Sequence, residues 1–193
     1  MSSQVHGAQK FDQAKRNQTV FSEEAMKTAQ TIISRYPEGK QKSALLPILH
    51  LAQAEFGGWL SPETMDYVAS ILNIKPVEVF EVASFYTMYN LKPVGKCVLE
   101  VCQTSSCWLN GAEDIVKYIE KKLNIKVGET TKDGMFTLKV AECLGSCGTA
   151  TMLQCGASYH ENLTYEKVDA ILETYKTEGK LRSYTDLDYK NTL

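Results

Sequence analysis

Four of the six cysteines stand in two clips, C-x4-C at Cys102 and Cys107 and C-x3-C at Cys143 and Cys147. Thiolates at such spacings suit metal binding. Each clip follows a stretch that reads as a strand, and strand ends bring distant loops together at one edge of a sheet. The intervening residues, QTSS and LGS, are small or polar, so their backbone N–H groups are able to point at bound sulfur and tune a reduction potential. On spacing alone three readings stay open: a 2Fe-2S centre, a structural zinc site and four ordinary buried thiols. Zinc knuckles usually close on two intervening residues, which favours iron and sulfur over zinc.

Four thiolates around two ferric ions and two sulfides leave a dianionic cluster. Such a site needs hydrogen-bond donors and limited exposure more than it needs neighbouring acids. Glu100 and Glu142 nevertheless flank the clips, and Glu100 shares the face of Cys102 only if the strand stays regular. A low-potential centre is expected.

Cys97 and Cys155 fall inside predicted strands without a partner at clip spacing and read as core residues. His6, His50 and His160 lie in different elements and suggest neither a shared metal nor a proton relay, His50 reading as a packed or partly exposed helix residue. No C-x-x-C dithiol is present, which argues against thiol exchange. No G-x-G-x-x-G follows a strand and no G-x-x-x-x-G-K-[ST] occurs, so the chain shows no nucleotide cradle and no catalytic residue of its own.

The chain has 193 residues, 44% apolar, and 21 basic against 23 acidic residues give a formal net charge of -2. That balance supplies no broad attraction to phosphate backbones, so nucleic acid is not an expected partner. No stretch approaches the roughly 20 apolar residues of a membrane span, and no secretory signal is evident, so neither membrane insertion nor export is expected. Six cysteines in an unexported chain point to free thiols and metal or redox chemistry rather than disulfides.

The elements that must position the cysteines fall into two kinds. Residues 1–20 are polar, carry Lys10, Lys15 and Arg16 against Asp12, and read as a flexible tail, with a transit peptide as the competing reading. Residues 21–92 read as a helical bundle. Ser22 caps a helix that Glu23 and Glu24 favour electrostatically and that Phe21 staples onto Met26, its buried stripe being Ala25, Ala29, Ile32, Ile33 and Tyr36. SALLPILHLAQAEFGG gives a second helix, Ser61-Pro62-Glu63 opens a third with Met65, Val68, Ala69 and Leu72 inward, and a fourth runs from about Pro76 through Tyr86. Phe85, Tyr86 and Tyr89 are expected to pack into this core, although VASFYTMYN would also suit a partner surface.

Residues 93–193 change pattern. Pro93 and Gly95 mark a junction, Lys96 to Cys102 is a strand, and a helix follows on Ile115, Ile119 and Leu123. A strand on Phe136, Leu138 and Val140, another near Thr151 to Cys155, and a last helix on Val168, Ile171, Leu172 and Tyr175 complete a mixed domain. The fold class is therefore α+β. A helix-turn-helix reading of MDYVASILNIKPVEVFEVASFY fails on charge, because Glu78 and Glu81 would face phosphates with only Lys75 to offset them.

The segments YPEGKQKSALLPILHLAQ, GWLSPETM, VFEVASFYTMYNLKPVGK, VCQTSSC, GETTKDGMFTL, AECLGSCGTA and ENLTYEKVDAIL resemble, in order, the thioredoxin-like 2Fe-2S ferredoxin subunit of NADH:quinone oxidoreductase, respiratory complex I. The likeness covers roughly Phe21 to Tyr175. It implies a helical N-terminal part followed by a thioredoxin-like domain, and one 2Fe-2S cluster ligated by Cys102, Cys107, Cys143 and Cys147. It further implies an electron-transfer subunit that is part of an oxidoreductase yet has no NADH site. The implied partners are an NADH- and FMN-binding flavoprotein subunit and other peripheral-arm subunits. The implied location is the cytoplasm at the inner membrane, with the mitochondrial matrix side as the alternative. The same subunit type serves soluble NAD-linked hydrogenases and formate dehydrogenases. One departure stands at Ala150-Thr151, where the family commonly has Ala-Pro; Thr151 adds an N–H and a hydroxyl to the surroundings of the cluster. Trp108, beside a ligand position, is expected to shield the cluster from water.

Overall fold

A computed structural model describes residues 18–178 together with Ala14. The tail expected over residues 1–20 therefore lies almost wholly outside the described residues. The described residues form two compact units that part between Pro93 and Val94.

The first unit is helical. Helix α1 (Glu23–Ile33) starts where the Ser22 hydroxyl accepts from the Ala25 amide at 3.2 Å, with Glu23 and Glu24 at its positive end. It buries Ala25, Ala29 and Ile32. The expected staple takes a broader form: the Phe21 ring stacks on Phe56 at 5.6 Å and meets the edge of Tyr67 at 5.3 Å, while Met26 packs against the same core. Helix α2 (Leu45–Glu55) follows a 3-10 turn, and Pro47 sits in its first turn, where an amide has no helical acceptor to lose.

Helix α3 (Pro62–Leu72) is capped by Ser61, whose hydroxyl accepts from the Thr64 amide at 3.1 Å, and is closed by Asn73 in the left-handed region. Helix α4 (Pro76–Phe85) begins with Glu78 accepting from the Lys75 amide at 2.9 Å while pairing with Lys42. Leu49, Leu60, Leu72 and Val79 are among the fully buried side chains of this unit. The aromatic residues near its end divide: Tyr89 is buried and donates to the Leu46 carbonyl, but Phe85 is 76% exposed and Tyr86 is also exposed. Helix α4 turns Val79 and Ala83 inward, and Phe85, two residues past Ala83, falls on the opposite face.

The second unit is built on a four-stranded sheet. Strands β1 (Cys97–Cys102), β2 (Phe136–Ala141), β3 (Leu153–Cys155) and β4 (Ser158–His160) lie in the order β2-β1-β3-β4. The β1–β2 pair is parallel, with Cys97 opposite Phe136 and Cys102 opposite Ala141; β3 and β4 add antiparallel strands on the other side of β1. A parallel pair needs a long crossover. Here helices α5 (Ser105–Leu109) and α6 (Ala112–Leu123) supply it, with α6 against β1 and against helix α7 (Tyr165–Glu178).

Gly111, at φ 87°, makes the sharp link between α5 and α6 that a side chain would strain. Gly95 has a different reason: a Cβ there would lie 2.9 Å from the Met135 carbonyl carbon and oxygen. Leu99, Ile119, Phe136, Leu138, Val168 and Leu172 belong to one core, and Tyr118 and Lys122 of α6 both bind Asp169 of α7 at 2.9 Å. Helix α5 and strand β4 were not expected from the sequence, since elements this short carry too little of a period to stand out. The fold is α+β, with helices preceding a mixed sheet.

Candidate metal centre

Strand β1 delivers the first cysteine. Cys102 is its last residue, its amide donating to the Met152 carbonyl at 3.1 Å, and the next amide, of Gln103, donates to Ala141 at 3.0 Å. The sheet therefore holds Cys102 from both neighbouring strands. Cys107 lies inside α5, one short helical stretch later, with its amide donating to the Thr104 carbonyl at 2.9 Å. Both thiols are buried in a small cluster with Ala112 and Met152, lined by Leu144 and Ala150.

The second clip sits on a loop. Strand β2 ends at Ala141, and Cys143 and Cys147 follow, both exposed, with Cys147 opening a three-residue 3-10 turn. The loops nonetheless meet: the Cys102 thiol lies 3.8 Å from the Glu142 carbonyl, and the Ser106 hydroxyl donates to the Cys147 carbonyl at 2.8 Å. Burial, and then the hydrogen bond with Cys102, push the Cys107 thiol up to about 11, with a further contribution from the nearby Cys147. The Cys107 thiol thus lies near those of Cys102 and Cys147. Among the described residues no three side chains of histidine, cysteine, aspartate or glutamate stand in finished metal-holding geometry.

The amide of Met152 donates to the Cys107 sulfur and favours its thiolate. This donor comes from the chain entering β3, not from QTSS or LGS, and no spacing between cysteines would have revealed it. The acids raised by the sequence are disposed of in different ways. Glu100 faces Lys139 across the β1–β2 pair at 3.8 Å, and burial raises its carboxyl above the usual range. Glu142 is exposed.

Several expected roles fall elsewhere. Trp108 is 56% exposed and its ring N–H donates to Glu113 at 3.2 Å. Thr151 is buried, but its hydroxyl donates to the Leu163 carbonyl at 3.4 Å and its own carbonyl accepts from the Leu163 amide, so its polar groups serve the approach to α7. Cys97 and Cys155 are buried in the sheet with sulfurs 3.0 Å apart. His50 is half-buried in α2 against Tyr89, and His160 of β4 meets the Tyr175 hydroxyl at 2.8 Å; His6 lies outside the described residues.

The donor set suits an iron–sulfur group. Four thiols come from two segments at one end of the sheet, two of them with an apolar lining and one with an amide already aimed at its sulfur.

Comparison with known proteins agrees. The thioredoxin-like [2Fe-2S] ferredoxin family matches residues 29–176. An NADH-quinone oxidoreductase subunit of Rickettsia felis is 45% identical over 160 residues, covering 83% of this chain and 96% of the relative. "NADH dehydrogenase [ubiquinone] flavoprotein 2, mitochondrial" of Dictyostelium discoideum is 42% identical over 156 residues, covering 81% of this chain and 63% of that protein. An NAD+-reducing [NiFe]-hydrogenase shares the fold, with a TM-score of 0.60 at 18% identity over 69% of this chain and 23% of the hydrogenase chain. The chain belongs to the thioredoxin-like [2Fe-2S] ferredoxin family, among relatives that are subunits of NADH-quinone oxidoreductase, and its cofactor is a 2Fe-2S cluster with electron transfer as its role.

Proposed function

We propose that Cys102, Cys107, Cys143 and Cys147 hold the cluster, and that the chain exchanges single electrons with the reduced FMN of an NADH-binding flavoprotein subunit in the same complex. The observation that carries this reading is the meeting of both clips at one end of the sheet, through the Ser106 bond to the Cys147 carbonyl and the approach of the Cys102 thiol to the Glu142 carbonyl. The bound cluster supplies one-electron chemistry. The chain's own work is to hold it: β1 and α5 fix two thiols in an apolar setting, and the Met152 amide stabilises negative charge on Cys107.

Hydride chemistry belongs to the partner. Val77, Phe80, Phe85 and Tyr86 are exposed on or just after α4 and offer apolar surface to other subunits. No helix among the described residues is long and apolar enough to cross a membrane. That supports a peripheral place in the complex, on the cytoplasmic side of the inner membrane or its mitochondrial matrix counterpart. The names of the relatives at about 45% identity favour the quinone-reducing complex over a soluble hydrogenase or formate dehydrogenase.

Affinity purification of the full chain from its own cells tests the reading. An FMN-containing subunit and membrane subunits that reduce quinone with NADH should accompany it. Recovery with hydrogenase or formate dehydrogenase subunits instead would contradict the quinone assignment, and recovery without any flavoprotein would contradict the electron path.

A further inference from the structure

Residues 159–163 run alongside residues 144–151, the second clip and the turn after it, and hold that segment at four places. The Tyr159 hydroxyl donates to the Leu144 carbonyl at 2.9 Å, the Asn162 amide to the Thr149 carbonyl at 2.8 Å, and the Leu163 amide to the Thr151 carbonyl at 2.9 Å. The fourth place is Glu161. Its Oε1 accepts from the Ser146 hydroxyl and, at 2.6 Å, from the Thr149 hydroxyl, and these two hydroxyl oxygens are 2.7 Å apart.

Each hydroxyl has a single proton, and both protons are used when they point at one carboxylate oxygen. Ser146 lies between Cys143 and Cys147, and Thr149 closes the 3-10 turn that Cys147 opens. This segment has no strand or long helix to fix it, so the bonds from residues 159–163, two of them between main-chain groups, supply what β1 and α5 supply to the first clip. The carboxylate is also a negative charge bonded to Ser146, which stands between two proposed ligands of a group that becomes more negative on reduction. The same charge would thus oppose the incoming electron.

We propose that Glu161 is a positioning residue for the cluster: it fixes the Cys143–Cys147 loop through Ser146 and Thr149, and its charge keeps the reduction potential low. The inference rests on the assignment of Cys143 and Cys147 as ligands. Two substitutions separate the two effects. Glu161→Gln keeps an oxygen able to accept both hydroxyls and removes the charge; Glu161→Ala removes both.

The test uses the full chain loaded with its cluster, read by bleaching of visible absorption in the presence of an iron chelator and by a redox titration followed by electron paramagnetic resonance. E161Q should lose iron at the parent rate with its potential shifted upward. E161A should lose iron about tenfold faster, the scale of effect seen when partners of metal ligands are removed. Adding S146A to E161A should then change little, because both remove the same bond. An unchanged potential in E161Q overturns the charge role, and it can be read even if E161A fails to fold. A parent-like release rate in folded E161A, or full additivity with S146A, overturns the positioning role. A C147A chain that keeps an unaltered cluster signal would instead show that the ligand assignment is at fault.

Discussion

Cys102 and Cys107 are fixed by regular backbone, one at the end of a central strand and one within a helix, and both are buried; Cys143 and Cys147 are exposed on a loop held by hydroxyls, a carboxylate and a tyrosine. The two clips have similar spacing, yet they reach order by different means. The first is ordered by the same forces that build the sheet. The second depends on bonds from a neighbouring segment, and those made by side chains can be removed one at a time. A cluster bound across both would therefore rest on one rigid edge and one adjustable edge.

The sharpest way to break this comparison is to remove one thiol from each side. C107A should abolish cluster assembly, because the buried pocket cannot supply another thiolate, and iron and sulfide assays of the purified chain should find almost none. C143A should also lose cluster, but some iron should remain bound by the other three thiols. Equal residual iron in the two variants would erase the distinction. Removing the metal gives a second comparison: in the apoprotein, amide hydrogen exchange over residues 142–150 should accelerate strongly while β1 and α5 keep most of their protection. Uniform acceleration across both clips would show that the cluster orders them equally.

Smaller effects locate the support beneath the first clip. Leu99→Ala, three residues before Cys102 in the core of the second unit, should cost about 2–5 kcal/mol in denaturant unfolding followed by cluster absorption. Ser22→Ala in the first unit should cost about 1 kcal/mol and leave the cluster spectrum unchanged.

The smallest expected effect is a pH dependence from His50, which burial holds below the ordinary histidine range. A histidine that resists protonation when folded binds more protons when unfolded. Its stabilising effect is therefore complete above the unfolded value, near 6.5, and falls as pH drops below it. His50→Gln should flatten that part of the stability profile; an unchanged slope would show that His50 does not contribute to it.

Much of this was legible in the sequence because the relevant signals repeat. Ser22 and Ser61 announced their helices, and the apolar stripes of α1, α3, α6 and α7 identified buried residues such as Ala29, Val68, Ile119 and Leu172. The cysteine spacings pointed to the candidate ligands, since thiols at clip distance are rare by chance. What could not be read was long-range and polar. Glu161 is far from the first clip in sequence, lies beyond the second, and resembles any surface acid, and the Met152 amide has no side-chain signature at all. The bond between the Trp108 ring and Glu113 could not be read either, since adjacency to Cys107 says nothing about direction on a helix. Phe85 and Tyr86 misled because aromatic rings usually seek a core, while the inward face of α4 is taken by Val79 and Ala83.

One measurement bears most directly on the central claim that four cysteines hold a 2Fe-2S cluster. Iron and acid-labile sulfide are assayed in the anaerobically purified full chain and in its four single Cys→Ala variants at 102, 107, 143 and 147, with electron paramagnetic resonance after dithionite reduction. The expected result is about two irons and two sulfides per parent chain and a rhombic signal from the reduced centre, lost or altered in every variant. Stoichiometric zinc without sulfide in the parent, or an unaltered signal in any one variant, would contradict it.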